Sequence, residues 1–495
     1  MIQFSETEIA KQKKLTLTWG VTFLIVFPLL ITLGLLMRMR QGGMSELESA
    51  DFYSYMTLHG LGMAGVLFSM AFAALWYLNG TRYVRLNINL GYFLYGLTLL
   101  GVVGLTIGTL IGKFGAGWYM LYPLPFIGTT WPEWATGLSI ISLIVLGVAW
   151  LIGCLHVVYA LAKEFGGFAN IMGWQYLGKK EVKRELPAMV LISTISLVPG
   201  IFSIITGAVM LILNLLQHME STLSFDPLLL KNLIFFFGHT LVNITMYCAV
   251  AWLYALLPEF TKREWPVNKI VVYSWNSTFF FVMFAYFHHL YMDFVQPVGL
   301  HYAGQFASYL SSIPATAITM FGVIAQFYHS KTKWTIIPLL FLIGTAGWAV
   351  GGFAAVVDST IALNQVLHNT LWVPAHFHTY MLLGVVLYIL AFLYYLFSGK
   401  DNNKSDKLAA TGFWTFVAGG FGFVLMFYLG GLNSIPRRFS HYEGINIEHT
   451  HQTGSSLAGT AVWFIAIVLL GLLMMYFSLF RRLSNGSSST QEVAK

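Results

Sequence analysis

The stretch VPAHFHTYMLLGVVLYILAFLYYLF, residues 373–397, is long and apolar enough to cross a bilayer, yet it opens on two histidines. About 20 apolar residues in a helix span the hydrocarbon core. It belongs to a run at about 366–397, and eleven further runs lie around it, at about 15–37, 54–78, 88–112, 137–163, 187–217, 229–257, 268–292, 304–330, 335–357, 411–431 and 456–480. The chain has 495 residues, 57% hydrophobic and only 9% charged, where soluble domains carry about 25% charged residues. These features predict an all-α fold: a polytopic membrane bundle of about twelve transmembrane helices. They place one domain over 1–483 and a disordered polar tail over 484–495.

The basic residues orient the bundle. With the N-terminus inside, 21 of the 27 Lys and Arg fall on the cytoplasmic side, which predicts both termini in the cytoplasm. The six on the outer side are Arg38, Arg40, Lys113, Lys231, Arg437 and Arg438. The net charge of +7 then reflects loops facing anionic lipid headgroups and not a nucleic-acid surface. The two cysteines, Cys154 and Cys248, sit in apolar runs, so no disulfide framework is expected. No cleavable leader is expected ahead of the first run.

Polar groups at membrane depth are costly and point to function. Of fourteen histidines, His156, His218, His301 and His329 stand alone near helix ends, and His441, His449 and His451 lie in an outer loop. One buried histidine is ordinarily helix packing. Six others, His59, His239, His288, His289, His376 and His378, fall at one depth in the outer half of the membrane on four helices. A pore lined with histidines would spread them along the membrane normal instead. On a helix, an H-x-H pair points about 200° apart, so His376 and His378 hold two different cofactors. Adjacent His288 and His289 diverge by about 100° and can reach one ion. With His239 they make a three-imidazole set suited to copper, zinc or iron. His59 is left to pair with one of the H-x-H residues across a six-coordinate heme. The other holds a five-coordinate heme facing the metal.

At these residues the chain resembles subunit I of the heme-copper oxidase superfamily. The resemblance rests on the histidine of the second run, GH at 238–239, HH at 288–289, HFH at 376–378 and PRR at 436–438, and covers all twelve runs. It implies that His378 joins His59 on a low-spin b-type heme and that His376 is the proximal ligand of a high-spin heme, also b-type. His239, His288 and His289 then hold the copper called CuB, with non-heme iron as the alternative. Arg437 and Arg438 would then pair with heme propionates, and HNTLWVPAHFH reads closer to the B-type branch than to the mitochondrial type, with His368 near the propionates.

One position departs from the pattern. Oxygen reductases of this type carry, four residues after the first metal histidine, a tyrosine cross-linked to that ligand; here it is Asn243. One-step O–O cleavage takes four electrons, of which the heme iron supplies two, copper one and the tyrosine the last. An amide supplies none, and Tyr247 is two turns from His239, about 12 Å along the helix. Coupling two NO needs only two electrons. Nitric oxide reductases of the superfamily carry a glutamate at this position on a non-heme iron, and a neutral amide favours copper. The expected function is nitric oxide reduction in a bacterial or archaeal cytoplasmic membrane, with B-type oxygen reduction as the alternative. Asn243 is expected to orient a reaction intermediate or a water; its ordinary reading is a helix–helix hydrogen bond.

The protons needed have a candidate path. Tyr254 lies fifteen residues past His239 towards the cytoplasm, and Ser312, Thr316 and Thr319 share one helix face. The B-type oxidases carry a comparable hydroxyl series. No acidic residue lies mid-membrane in the sixth to eighth runs, so no carboxylate-gated pump is legible. Nothing in these residues resembles a copper-binding cupredoxin domain, so electrons from cytochrome c or a quinol are expected to arrive through a separate subunit II, with or without a CuA centre. Its candidate docking surfaces are 434–452 and 122–134.

Overall fold

The computed structural model describes residues 3–126, 130–178, 182, 184–398, 406–442 and 448–492, with no account of side chains at 448 and 484–492. Twelve helices among the described residues are long and apolar enough to span a membrane. They are α1 Glu6–Gln41, α2 Ser49–Arg82, α3 Ile88–Ile111, α4 Glu133–Phe165, α5 Ala188–Met219, α6 Pro227–Thr261, α7 Lys269–Leu290, α8 Val298–Phe327, α9 Ile336–Ser359, α10 Trp372–Ser398, α11 Lys407–Leu432 and α12 His449–Leu483. The helix of α12 is drawn on to Glu492. The tail expected over 484–495 falls outside the fully described residues, as do parts of both candidate docking loops, 127–129 and 443–447.

All twelve expected runs are helices, and most extend beyond the apolar stretch that announced them. Hydrophobic length is set by the bilayer, whereas helix length is set by capping. In α1 the polar turn before the apolar run is already helical. There Ser5 Oγ accepts from the Glu8 amide (3.2 Å) and Glu8 Oε2 accepts from the Ser5 amide (2.8 Å), a reciprocal capping box that satisfies two end donors. On α6, Asp226 accepts from the Leu229 amide at 2.7 Å and Pro227 occupies the first turn.

Chain neighbours pack as pairs: α1 with α2, α3 with α4, α5 with α6, α7 with α8 and α11 with α12. The opening stretch is the centre of the bundle. Within α10, 89% of the most apolar window is buried, against 28% in α8, so α10 runs through protein while α8 faces outward. Phe93, Leu100, Phe353 and Phe477 are exposed on the outside, the surface expected to meet lipid.

Two departures from α geometry lie beside the histidines. Helix α10 opens into a π turn over Met381–Val385, directly after the H-x-H pair; such turns cluster at functional sites. Helix α7 tightens into a 3₁₀ turn over Tyr286–Leu290. His288 and His289 therefore diverge by about 120°, and not by the α-helical angle expected from sequence.

Candidate active site

One cavity is lined by all six histidines, together with Asn243, Arg38, Arg437 and Arg438. The histidines fall into two groups on opposite faces of α10. On one face His59 of α2 and His378 of α10 have ring centroids 6.2 Å apart and planes 20° apart. Each ring is held by a backbone carbonyl on Nδ1: Leu30 for His59 (2.8 Å) and Pro374 for His378 (2.7 Å). Those bonds leave both Nε2 atoms free. Two imidazoles bound to one ion through bonds of about 2.0 Å, plus about 1.2 Å from each nitrogen to its ring centre, stand about 6.4 Å apart. The observed separation fits a single metal between the rings, as in a bis-histidine heme.

On the other face His239, His288 and His289 gather with donor nitrogens within 4.8 Å of one another. His239 Nδ1 and His289 Nε2 are 3.3 Å apart, the separation of two nitrogens on one tetrahedral ion with bonds of about 2.0 Å. His288 gives its Nδ1 to Ser308 Oγ at 2.9 Å, and Ser308 Oγ donates to the Gly304 carbonyl at 2.7 Å. That outer bond turns His288 Nε2 to the cluster. Gly304 admits the turn: a Cβ there would lie 2.7 Å from Phe287 Cβ and 3.0 Å from the His288 amide nitrogen. Among the described residues no carboxylate or thiol joins the three imidazoles. A neutral three-nitrogen set fits copper. His376 stands within electrostatic reach of His239 and His288.

Asn243 lies on the cavity wall, against His239. Its Nδ2 donates to the His239 carbonyl (2.8 Å) and lies 3.2 Å from His239 Nε2. Tyr247, two turns from His239 but one from Asn243, donates its hydroxyl to Asn243 Oδ1 at 3.4 Å. The helical rise separates the backbones, but a tyrosine side chain reaches back over the preceding turn.

The two arginines arrive on a strap. Leu371 N donates to the Ile435 carbonyl (2.9 Å) and Arg437 N to the Asn369 carbonyl (2.9 Å), pinning 435–437 to the start of α10. Asn369 and Arg438 take φ of +63° and +72°, a region Asn tolerates and Arg seldom enters. Arg437 donates to Asn369 Oδ1 at 2.9 and 3.3 Å, and the Arg438 guanidinium lies 3.7 Å over the Tyr119 ring. Both partners are neutral. Enclosure under the strap, and then the adjacent Arg438 charge, push Arg437 down to about 9. An anion at this edge of the cavity would relieve both charges, which is what heme propionates supply. His368 is pushed down to about 4, first by burial and then by the charges of Arg437 and Lys231.

Of the hydroxyl series, Tyr254 and Thr319 share a 3.0 Å hydrogen bond. Ser312 lines the cavity. Thr316 lies 3.5 Å from where a Cβ of Gly352 would sit, and the Tyr380 hydroxyl 3.2 Å from the same point. Sequence reading passed over Asp358, which is 2% exposed with Oδ2 3.8 Å from His376 Nδ1. A carboxylate at the end of an apolar run looks like an interfacial residue until α9 is seen to close on α10.

Residues 14–473 match the family model for Cytochrome C and Quinol oxidase polypeptide I. The chain belongs to that family. It is a subunit I of the heme-copper oxidase superfamily, a family of membrane oxidoreductases that bind hemes and copper. Cytochrome c oxidase polypeptide 1 of Halobacterium salinarum is 29% identical over 222 residues, which cover 44% of this chain and 36% of that protein. Cytochrome c oxidase subunit 1 of Candida albicans is 26% identical over 275 residues, 54% of this chain and 49% of that one. The chain thus spans half or less of the length of these two relatives. Alternative cytochrome c oxidase subunit 1 of Bradyrhizobium diazoefficiens is 24% identical over 465 residues, 86% of this chain and 75% of that one. A solved heme-copper terminal oxidase dimer superposes with a TM-score of 0.72 at 17% identity, covering 97% of this chain and 84% of that one; that likeness concerns the fold.

Proposed function

We propose that this subunit I is the catalytic subunit of a respiratory nitric oxide reductase, which converts two NO, two electrons and two protons into N₂O and water. One observation carries the reading: the residue held against the metal-ligand candidate His239 is Asn243, where an oxygen reductase of this type needs an oxidisable phenol. His59 and His378 would hold a low-spin heme, His376 a high-spin heme, and His239, His288 and His289 a copper. When bound, the high-spin heme and the copper supply the two electrons and the positions at which two NO molecules meet.

The protein's own residues do the rest. The His59–His378 pair is fully bonded on its outer nitrogens, which holds an electron-transfer cofactor rigidly between α2 and α10. Asn243 can meet either form of His239, since its oxygen accepts from a protonated Nε2 and its nitrogen donates to a bare one. It thereby orients a ligand ring and presents a neutral polar edge to the substrate pocket. Arg437 and Arg438 line the cavity and would pair with heme propionates, with His368 within electrostatic reach of Arg437. Tyr254, Thr319, Thr316 and Ser312 carry protons inward from the cytoplasmic side. Both termini face the cytoplasm of a bacterial or archaeal cell, residues 1–483 form one domain, and a separate subunit II delivers electrons from cytochrome c or a quinol.

The alternative is a B-type oxygen reductase. The names of the relatives favour it, and so does the Tyr247 phenol one hydrogen bond away from Asn243. Turnover of the purified, reduced holoenzyme with NO and with O₂ separates the two. N₂O production with slow O₂ consumption is the expected result. Rapid four-electron O₂ reduction with no N₂O from NO would overturn the proposal.

A further inference from the structure

We propose that Asp358 is a positioning residue for His376: its carboxylate accepts from Nδ1–H of the imidazole, aims Nε2 at the high-spin heme iron and makes that ring the stronger electron donor. The inference rests on the reading of His376 as the ligand of that heme.

Among the six histidines, only His376 has a ring nitrogen that is fully buried without a hydrogen-bond partner. His59 and His378 meet backbone carbonyls, His288 meets Ser308, and His239 lies between His289 and Asn243. His376 Nδ1 is buried without a hydrogen-bond partner, and so is Asp358 Oδ1. The two orphans belong to one contact, with Oδ2 3.8 Å from Nδ1. A charge-assisted bond closes at about 2.8 Å, so a small rotation of the Asp358 side chain, or one bridging water, completes it. A buried donor and a buried acceptor left unpaired are both destabilising, which drives that closure.

The backbone brings the pair together. Gly347 and Gly351 face α10 so closely that a Cβ would stand 2.2 Å from the Leu383 carbonyl oxygen and 2.9 Å from the Tyr380 amide nitrogen. Beyond them, Asn364 Nδ2 donates to the Asp358 carbonyl (2.7 Å) and the Tyr291 hydroxyl to the Ser359 carbonyl (2.9 Å). Both bonds fix the end of α9. The competing acceptor is the Trp372 carbonyl, one turn before His376, which makes no bond to Nδ1 within normal geometry.

A carboxylate on the outer nitrogen raises the basicity of a ligating imidazole more than a carbonyl does. The low-spin pair, held by carbonyls, is the internal control. The test uses the full-length, heme-loaded protein, with resonance Raman of the ferrous state and a redox titration. Wild type shows an Fe–His stretching band that His376→Ala abolishes; were no such band found, the heme reading itself would fail. In Asp358→Asn the band moves to lower frequency and the high-spin midpoint potential rises, while the low-spin heme keeps both its spectrum and its potential. A bound heme with an unmoved band and potential overturns the proposal and assigns Nδ1 to the Trp372 carbonyl. Should Asp358→Asn not assemble, Asp358→Glu takes its place. Its longer arm alters the contact, so a displaced band supports the proposal and an undisplaced one sinks it.

Discussion

The two faces of α10 are two residues apart in sequence and opposite in construction. Behind His378 every polar atom is settled. The ring is bonded to Pro374, lies nearly parallel to His59, and packs edge-on against Phe423. Behind His376 the contacts stay open: a bare Nδ1, a carboxylate at 3.8 Å, and three imidazoles across the cavity. A site that only passes electrons gains from a rigid, symmetric cage, because nothing in it has to move. A site that binds and couples two molecules must keep coordination positions open on the cavity side. The contrast supports the proposal that the chemistry belongs to the His376 face.

Exchanging the two faces gives the largest effects. His376→Ala should remove the high-spin heme spectrum and abolish NO turnover while the six-coordinate spectrum stays. His378→Ala or His59→Ala should remove the six-coordinate signal and spare the CO-binding heme. Optical spectra of reduced and CO-treated protein decide between them, and the reverse pattern would show that the H-x-H assignment is inverted.

The metal cluster comes next. His288→Ala should leave both heme spectra intact and lose the copper, with turnover falling to background. Elemental analysis of wild type should give about one copper per two hemes, after subtracting any CuA contributed by a second subunit. Three irons per chain without copper would make the centre a non-heme iron site despite the missing carboxylate.

How much of this was legible beforehand differs between the two faces. The helices and the six histidines could be read from apolar length and from the cost of polar groups in a membrane, because both constraints are local. The pairing of His59 with His378, and not with His376, came from resemblance; periodicity alone placed the H-x-H rings on opposite faces without saying which was which. One feature escaped altogether. Asp358 stands at the end of an apolar run, and only the glycine edge of α9 carries it to His376. It depends on how closely two helices approach, which no one-dimensional pattern records.

Asn243 sharpens the comparison further, since it has no counterpart on the His378 face. Asn243→Ala should keep both hemes and the copper and slow NO turnover on the order of a hundredfold, the usual cost of a lost transition-state hydrogen bond. Wild-type turnover with reduced thermal stability would make Asn243 a helix-packing amide. Asn243→Tyr should lower NO turnover by crowding and should not bring rapid O₂ reduction without a cross-link to His239.

The smallest effect belongs to the Tyr254 end of the bundle, the proposed entry for protons. Tyr254 and Thr319 are buried partners at 3.0 Å, and Trp265 stacks on the Tyr254 ring at 3.9 Å. Tyr254→Phe keeps the ring and its stacking and removes one hydroxyl. It leaves Thr319 without that bond, at a net cost of about 1 kcal/mol in stability. If the pair lies on the proton path, turnover should fall about fivefold to tenfold, since each 1.36 kcal/mol on a barrier is about tenfold, and the solvent isotope effect should rise. Thr98 supplies the comparison, because its hydroxyl is equally buried and bonds only back to the Leu94 carbonyl at 2.9 Å. Thr98→Val should change neither rate nor isotope effect. Equal behaviour of the two variants would remove Tyr254 and Thr319 from the path and leave their hydrogen bond as packing between α6 and α8.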